Sequence, residues 1–171
     1  MKFLSILLLL LTSGTTFAQE IDTLSFYSEA FGEERTVYVH LSENRKYNAG
    51  AVQLDGQHEW LINPILSDIE YLQYTHAIPA AITVVLPHHN RNRECGIVDL
   101  DTELPLDVFI TQELDAQLKS YNPSPFRLLM GHSFSASFSL YSFIHHPDRY
   151  AALIAHSPLD EMDLLIENIA R

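Results

Sequence analysis

Residues 125–136 read Pro-Phe-Arg-Leu-Leu-Met-Gly-His-Ser-Phe-Ser-Ala, and no other stretch restricts the possible fold so tightly. An apolar run that ends in Gly-x-Ser-x-small and passes at once into a helical pattern predicts a strand, a very tight turn and a helix. In such a turn the central serine is held in strained backbone geometry and its hydroxyl is lifted clear of the sheet. The residues on either side must be small because strand and helix nearly touch. Gly131 and Ala136 meet that demand, while Ser135 stands where a second glycine is usual. A bare Gly-x-Ser is common by chance. What raises this one is its context, a strand over Phe126 to Met130 and a helix from Phe134 to His146 stopped by Pro147. The plainer alternative is a strand–turn–helix in which the serine only caps the helix.

The segments around this turn alternate in the manner of an α/β domain. Ile21 to Tyr27 and Arg35 to Leu41, joined through Phe31-Gly32-Glu33-Glu34, predict a hairpin. Ser42 to Gly50 reads as a polar loop, and Ala51 to Leu54 as a brief strand closed by Asp55-Gly56. A helix within Trp60 to Tyr74, following Pro64, has Leu61, Ile65, Leu66, Ile69 and Leu72 at its apolar positions. Ala81 to Leu86 is an unbroken β-rich run of the kind buried on both faces of a parallel sheet. Residues 87–106 read as a polar loop. Ile110, Leu114 and Leu118 share one helix face, and Ala151 to Ala155 is a further buried strand. Ser157-Pro158 starts another helix running toward Arg171. The expectation is one open, mostly parallel sheet with helices on both faces, with Phe126 to Met130 between Ala81 to Leu86 and Ala151 to Ala155.

The first 18 residues stand apart. Lys2, the apolar block Leu4 to Leu11, the polar Thr12 to Thr16 and the small Ala18 have the layout of a secretory signal peptide. The apolar block is too short to span a bilayer. The reading is residues 1–18 as leader and 19–171 as one domain, exported to the periplasm or the medium. Removing the leader takes one cation from a chain already at −12. Such an acidic chain without basic clusters argues against nucleic acid or an anionic membrane as partner. Cys95 is the single cysteine, so no internal disulfide forms, and it does not stand at metal-ligand spacing from the histidines. No cofactor or metal is expected.

Five segments in order carry a likeness to a known family: Tyr38-Val39-His40-Leu41, Leu54-Asp55-Gly56-Gln57, Asn90-Arg91-Asn92-Arg93-Glu94, Gly131-His132-Ser133-Phe134 and His156-Ser157-Pro158. With them the chain resembles the putative esterase family of the α/β-hydrolases, in particular its periplasmic and secreted feruloyl and ferric-siderophore esterases. The resemblance implies an α/β-hydrolase fold and a small-molecule ester substrate. It also shows departures. The strand before Leu54-Asp55-Gly56 looks clipped, and Ser135 adds a side chain at the crowded turn. The triad acid and histidine of the family follow strands beyond Ala151 to Ala155, and this chain offers no position for them. On that ground the expectation is an incomplete, weakly active or inactive hydrolase.

The chemistry centres on Ser133. A serine hydroxyl needs a base to take its proton and donors to hold the oxyanion that forms. The backbone N–H of Phe134 is one candidate donor and that of Gln57 a second. Gln57 reads equally well as a plain loop residue. Arg91, Arg93 and His88 follow the Ala81 to Leu86 strand and are candidate substrate contacts. The competing assignments are an ion pair to Asp99 to Glu103 for the arginines and a solvated loop for His88. His132 reads as structural, His156 follows a strand on the correct edge, and Asp160 reads as a helix-start acid. Three functions stay open: a serine ester hydrolase working through an acyl-enzyme, a non-catalytic binding protein on part of a hydrolase fold, or a peptidase on the same fold, since elbows serve both reactions. With no strand beyond it, the uncharged Ala151 to Ala155 edge also predicts self-association.

Overall fold

Alternating side chains set the hairpin. In the computed structural model, which describes residues 20–41, 49–97, 102–121 and 127–159, β1 (Glu20–Ser28) and β2 (Glu33–Leu41) pair antiparallel from Glu20 opposite Leu41 to Ser28 opposite Glu33. β2 turns Val37, Val39 and Leu41 into the core and leaves Tyr38 on the other face. β3 (Ala49–Leu54) and β4 (Ala81–Leu86) follow, the latter buried at every position as its unbroken apolar run requires. β5 (Arg127–His132) and β6 (Ala152–His156) complete a six-stranded sheet in the order β1-β2-β4-β3-β5-β6. From β4 onward every pairing is parallel, giving the open, mostly parallel α/β sheet that the alternation of elements predicts.

The strand order corrects one expectation. β5 lies between β3 and β6, not beside β4. The strand that looks clipped in the sequence is central. Ala49 and Gly50 extend it beyond Ala51 to Leu54, and it pairs with β4 at six positions and with β5 at four. Small and polar residues (Ala49, Gly50, Ala51, Gln53) hide it from a pattern search, although two strand neighbours satisfy its backbone and Ala51 to Leu54 are buried.

The two faces are unequal. On one, the core of Val37, Val39, Val52, Leu54, Ile82, Val84, Leu86 and Leu129 packs against the helical run that follows residue 104 and against α5 (Phe134–His145). That run comprises α3 (Pro105–Val108), a π-helical stretch Phe109–Leu114, α4 (Asp115–Leu118) and a closing 3₁₀ turn. Ile110, Leu114 and Leu118 are buried as their spacing predicts, and Phe109 stacks on Phe26 of β1 at 5.5 Å. On the opposite face α1 (Glu59–Tyr74) sets Ile62 and Leu66 on Val85. This helix begins before Pro64, not after it. A proline there removes only the bond to the Trp60 carbonyl, in the first, exposed turn. The polar loop of residues 87–106 is also partly helical, with α2 (Arg91–Cys95) capped by the Asn90 side chain on the Arg93 N–H at 3.1 Å.

The predicted leader, most of the Ser42 to Gly50 loop, Phe126, Asp160 and the rest of the last helix lie outside the described residues.

Candidate active site

The parallel strands β3, β4, β5 and β6 all end on one edge, and the turns leaving them form the site. The decisive turn is β5 to α5. Ser133 has φ 55° and ψ −119°, a conformation that costs a non-glycine residue on the order of 1–3 kcal/mol. Its N–H donates to the His156 carbonyl at 2.8 Å, and its own carbonyl accepts from Ala136 and Ser137 at 2.9 and 3.2 Å. The backbone is therefore fixed on both sides while the half-buried side chain caps nothing. This excludes the helix-cap alternative. Among the described residues, nothing hydrogen-bonds the Ser133 hydroxyl, histidine rings included.

Gly131 explains why strand and helix can approach. A Cβ there would stand 2.6 Å from both the Ser135 carbonyl carbon and the Ser139 hydroxyl. Gly56 does the same for the turn after β3, where a Cβ would meet the Pro87 nitrogen at 2.7 Å and the Leu86 carbonyl carbon at 2.9 Å. The Gly56 N–H donates to Leu86 at 3.0 Å and the His58 N–H to Asp55 at 2.9 Å. The Gln57 N–H between them has no partner among the described residues, and neither has that of Phe134, the first residue of α5. Both turns thus present an unused backbone donor on the same edge.

These observations agree with the family comparison. The model of the family described as "Putative esterase" matches residues 28–165. The chain belongs to this family. No curated protein sequence matches it. Among solved structures it is similar to an IroE-like serine hydrolase from Shewanella oneidensis, with TM-score 0.74 and 20% identity over 88% of this chain and 56% of that one. It is also similar to the enterochelin esterase from Shigella flexneri, with TM-score 0.66 and 21% identity over 78% and 34% of the two chains. The siderophore hydrolase EstB from Aspergillus nidulans gives TM-score 0.66 and 17% identity over 88% and 61%. At these identities the likeness is one of fold. This family member spans roughly a third to three-fifths of the length of those chains.

Ser135 lies in a dense polar cluster behind the elbow. Its fully buried hydroxyl donates to Asp55 Oδ1 at 2.8 Å and lies 3.2 Å from His88 Nε2, 3.3 Å from Arg91 Nε and 3.5 Å from Cys95 Sγ. His88 Nδ1 is 2.8 Å from Glu94 Oε2, and Glu94 takes a two-pronged pair from buried Arg35 at 2.9 and 3.0 Å. Burial alone would raise the Glu94 pKa. Hydrogen bonds from His88, Arg35 and the Asn90 N–H, with the Arg35 charge, overcome it and hold the carboxyl far below its usual range. Burial pushes the Cys95 thiol up to about 12, so it is an inert neutral group.

Ser135, His88 and Glu94 thus form a serine–histidine–acid chain with triad-like contacts, yet it is not positioned to act on substrate. Ser135 is fully buried and its proton goes to Asp55. Among the described residues no three His, Cys, Asp or Glu side chains form a metal-binding group. The centre of this cluster is filled by the Ser135 hydroxyl and the Arg91 guanidinium.

The remaining candidates fall into place around this core. His88 is buried, so it is not a solvated loop residue. Arg91 pairs with Asp55 at 2.9 Å and donates to the His132 carbonyl at 2.6 Å, and its side chain is only a quarter exposed. Arg93 is exposed on α2. Gln57 is exposed, and its side-chain oxygen accepts from the His88 N–H at 2.9 Å. His132 stacks on His156 at 5.1 Å and meets the edge of the largely exposed Trp60 ring at 6.0 Å. No spacing rule could have found the Asp55–Ser135–His88–Glu94–Arg35 chain, because its members come from the turn after β3, the start of α5, the segment after β4 that includes α2, and strand β2. The one available signal was Ser135 itself, a polar side chain at a position where bulk is normally excluded.

Proposed function

We propose that this member of the family is an ester hydrolase that works through an acyl-enzyme on Ser133. The observation that carries the reading is Ser133 itself, strained at φ 55°, uncapped, on the turn that leaves an interior parallel strand. In the reaction the Ser133 oxygen attacks the ester carbonyl and its proton passes to a base. The Phe134 and Gln57 N–H groups receive the oxyanion, and the alcohol departs to leave the acyl group on serine. Water then releases the acid by the same path in reverse order of roles. Removing one such donor costs about 10²- to 10³-fold in rate where it has been measured. Among the described histidines His156 stands next to Ser133 through its carbonyl, which makes it the first candidate for the base. Without an imidazole bonded to the hydroxyl the expected turnover is slow.

The substrate class is a small carboxylic ester, and the siderophore esters in the names of the similar structures are the first to try. Arg93, exposed on α2 at the same edge, is the proposed contact for an anionic or catechol group on it. The same reading takes residues 1–18 as an export signal and 19–171 as the mature domain, periplasmic or secreted. Among the described residues no helix is long and apolar enough to cross a membrane. Self-association through the β6 edge completes the proposal. The test is hydrolysis of short-chain aryl esters by the chain and by Ser133→Ala. Slow turnover that disappears in the variant supports the reading, and equal rates in both refute it.

A further inference from the structure

The turn that carries Gln57 and the turn that carries Ser133 and Phe134 belong to different crossovers, and catalysis needs their N–H groups fixed relative to each other. Asp55 is the residue that joins them. It is fully buried, adopts φ 67° although it is not glycine, and lies two residues before Gln57. Its Oδ1 accepts from Ser135 Oγ at 2.8 Å and from Arg91 Nε at 2.9 Å, and its Oδ2 accepts from the His132 N–H at 3.3 Å. His132 and Ser135 flank Ser133 and Phe134. One carboxylate therefore holds both ends of the elbow while its own backbone forms the other turn. Arg91 compensates the buried charge and reaches the elbow a second time, through the His132 carbonyl at 2.6 Å.

We propose that Asp55 is a positioning residue for the oxyanion site, setting the spacing between the Gln57 and Phe134 N–H groups, with Ser135 as the elbow's side-chain attachment to it. Asp55 itself lies below the reacting atoms and touches no substrate. The claim rests on the reading of Ser133 as nucleophile. It follows from the general requirement that reactive groups be held to within a fraction of an ångström by neighbours whose own positions are locked. It also gives Ser135 a purpose, since among the described residues a glycine there would leave the Asp55 carboxylate with Arg91, one long backbone bond and the more distant His88 Nε2 at 4.0 Å.

The test compares the full chain with Asp55→Asn, Ser135→Ala and Ser135→Gly by two measurements. The first is the second-order rate at which an alkyl fluorophosphonate modifies Ser133, per folded molecule. The second is amide hydrogen exchange over residues 54–58 and 131–137, with the β1–β2 hairpin as internal control. Asp55→Asn should slow labelling about ten- to a hundredfold and each Ser135 variant by about three- to tenfold. In each variant both turns should exchange faster together while the hairpin stays unchanged. A purely structural role would lower the folded fraction and leave the rate per folded molecule alone. Failure of the parent chain to label sinks the nucleophile reading, and the exchange data then decide the positioning claim by themselves. Unchanged exchange in the two turns, or labelling within twofold of the parent, overturns it. If Asp55→Asn does not fold, the Ser135 variants carry the same decision.

Discussion

Glu94 shows how much of this site is settled by single residues. Its carboxylate is buried, faces the Arg35 guanidinium at two contacts and collects the His89 and Asn90 N–H groups at 2.9 Å each. Breaking such a buried pair strands the partner charge and typically costs about 3–5 kcal/mol. Glu94→Gln should therefore lower the unfolding free energy, read from urea denaturation at pH 7, by an amount in that range. The pH dependence has a definite sign. The folded-state pKa is held below the ordinary 4.5, so the unfolded chain takes up its proton first. The stabilisation is fully present above about 4.5 and is lost as pH falls toward the folded value. The parent should lose stability steeply below pH 4.5, and the Gln variant should show a shallower decline over the same window.

At the scale of elements, the strand–turn–helix of β5 and α5 was legible because its requirements are local. A buried run, a glycine, a serine and a small residue leave one economical geometry, and Ser133 at φ 55° has it. Gly131 makes the point testable. Gly131→Ala places a methyl group against the Ser135 backbone and the Ser139 hydroxyl, and rigid backbone gives way less readily than a side chain. Over-packing of this kind should cost about 1–3 kcal/mol, read as a shift in thermal midpoint, and the strand–helix angle should open. The hairpin and β4 were equally plain, through alternation in one and an unbroken apolar run in the other. The place of β3 was not legible. Its hydrophobicity is low because Ala49, Gly50 and Gln53 are chosen by their neighbours, and strand order is a property of packing between segments. For the same reason the polar cluster behind the elbow stayed hidden: Arg91 reads as a substrate contact or a partner of Asp99 to Glu103 and His88 as a substrate contact or a solvated loop residue, when both are tied to buried carboxylates.

At the scale of the whole molecule the two edges of the sheet differ. β1 carries the charged Glu20 and Asp22, whereas Ala152 to Ala155 of β6 bears no charge and no proline, and Ile154 is about half exposed at 53%. Among the described residues no strand pairs with the outer side of β6, and strand edges of this composition recruit other strands. The purified chain should run as a dimer or larger species in light scattering, and Ile154→Lys should shift it toward monomer. An unchanged, monodisperse monomer in both would remove the edge from the account. The central claim is that Ser133 is a nucleophile presented by an elbow, and one measurement addresses it directly. The chain is treated with a fluorophosphonate, digested, and the adduct located by mass spectrometry. The account predicts a single adduct on Ser133, lost in Ser133→Ala and retained in Ser135→Ala because Ser135 is buried. An adduct on another residue, or none at saturating probe, would contradict it.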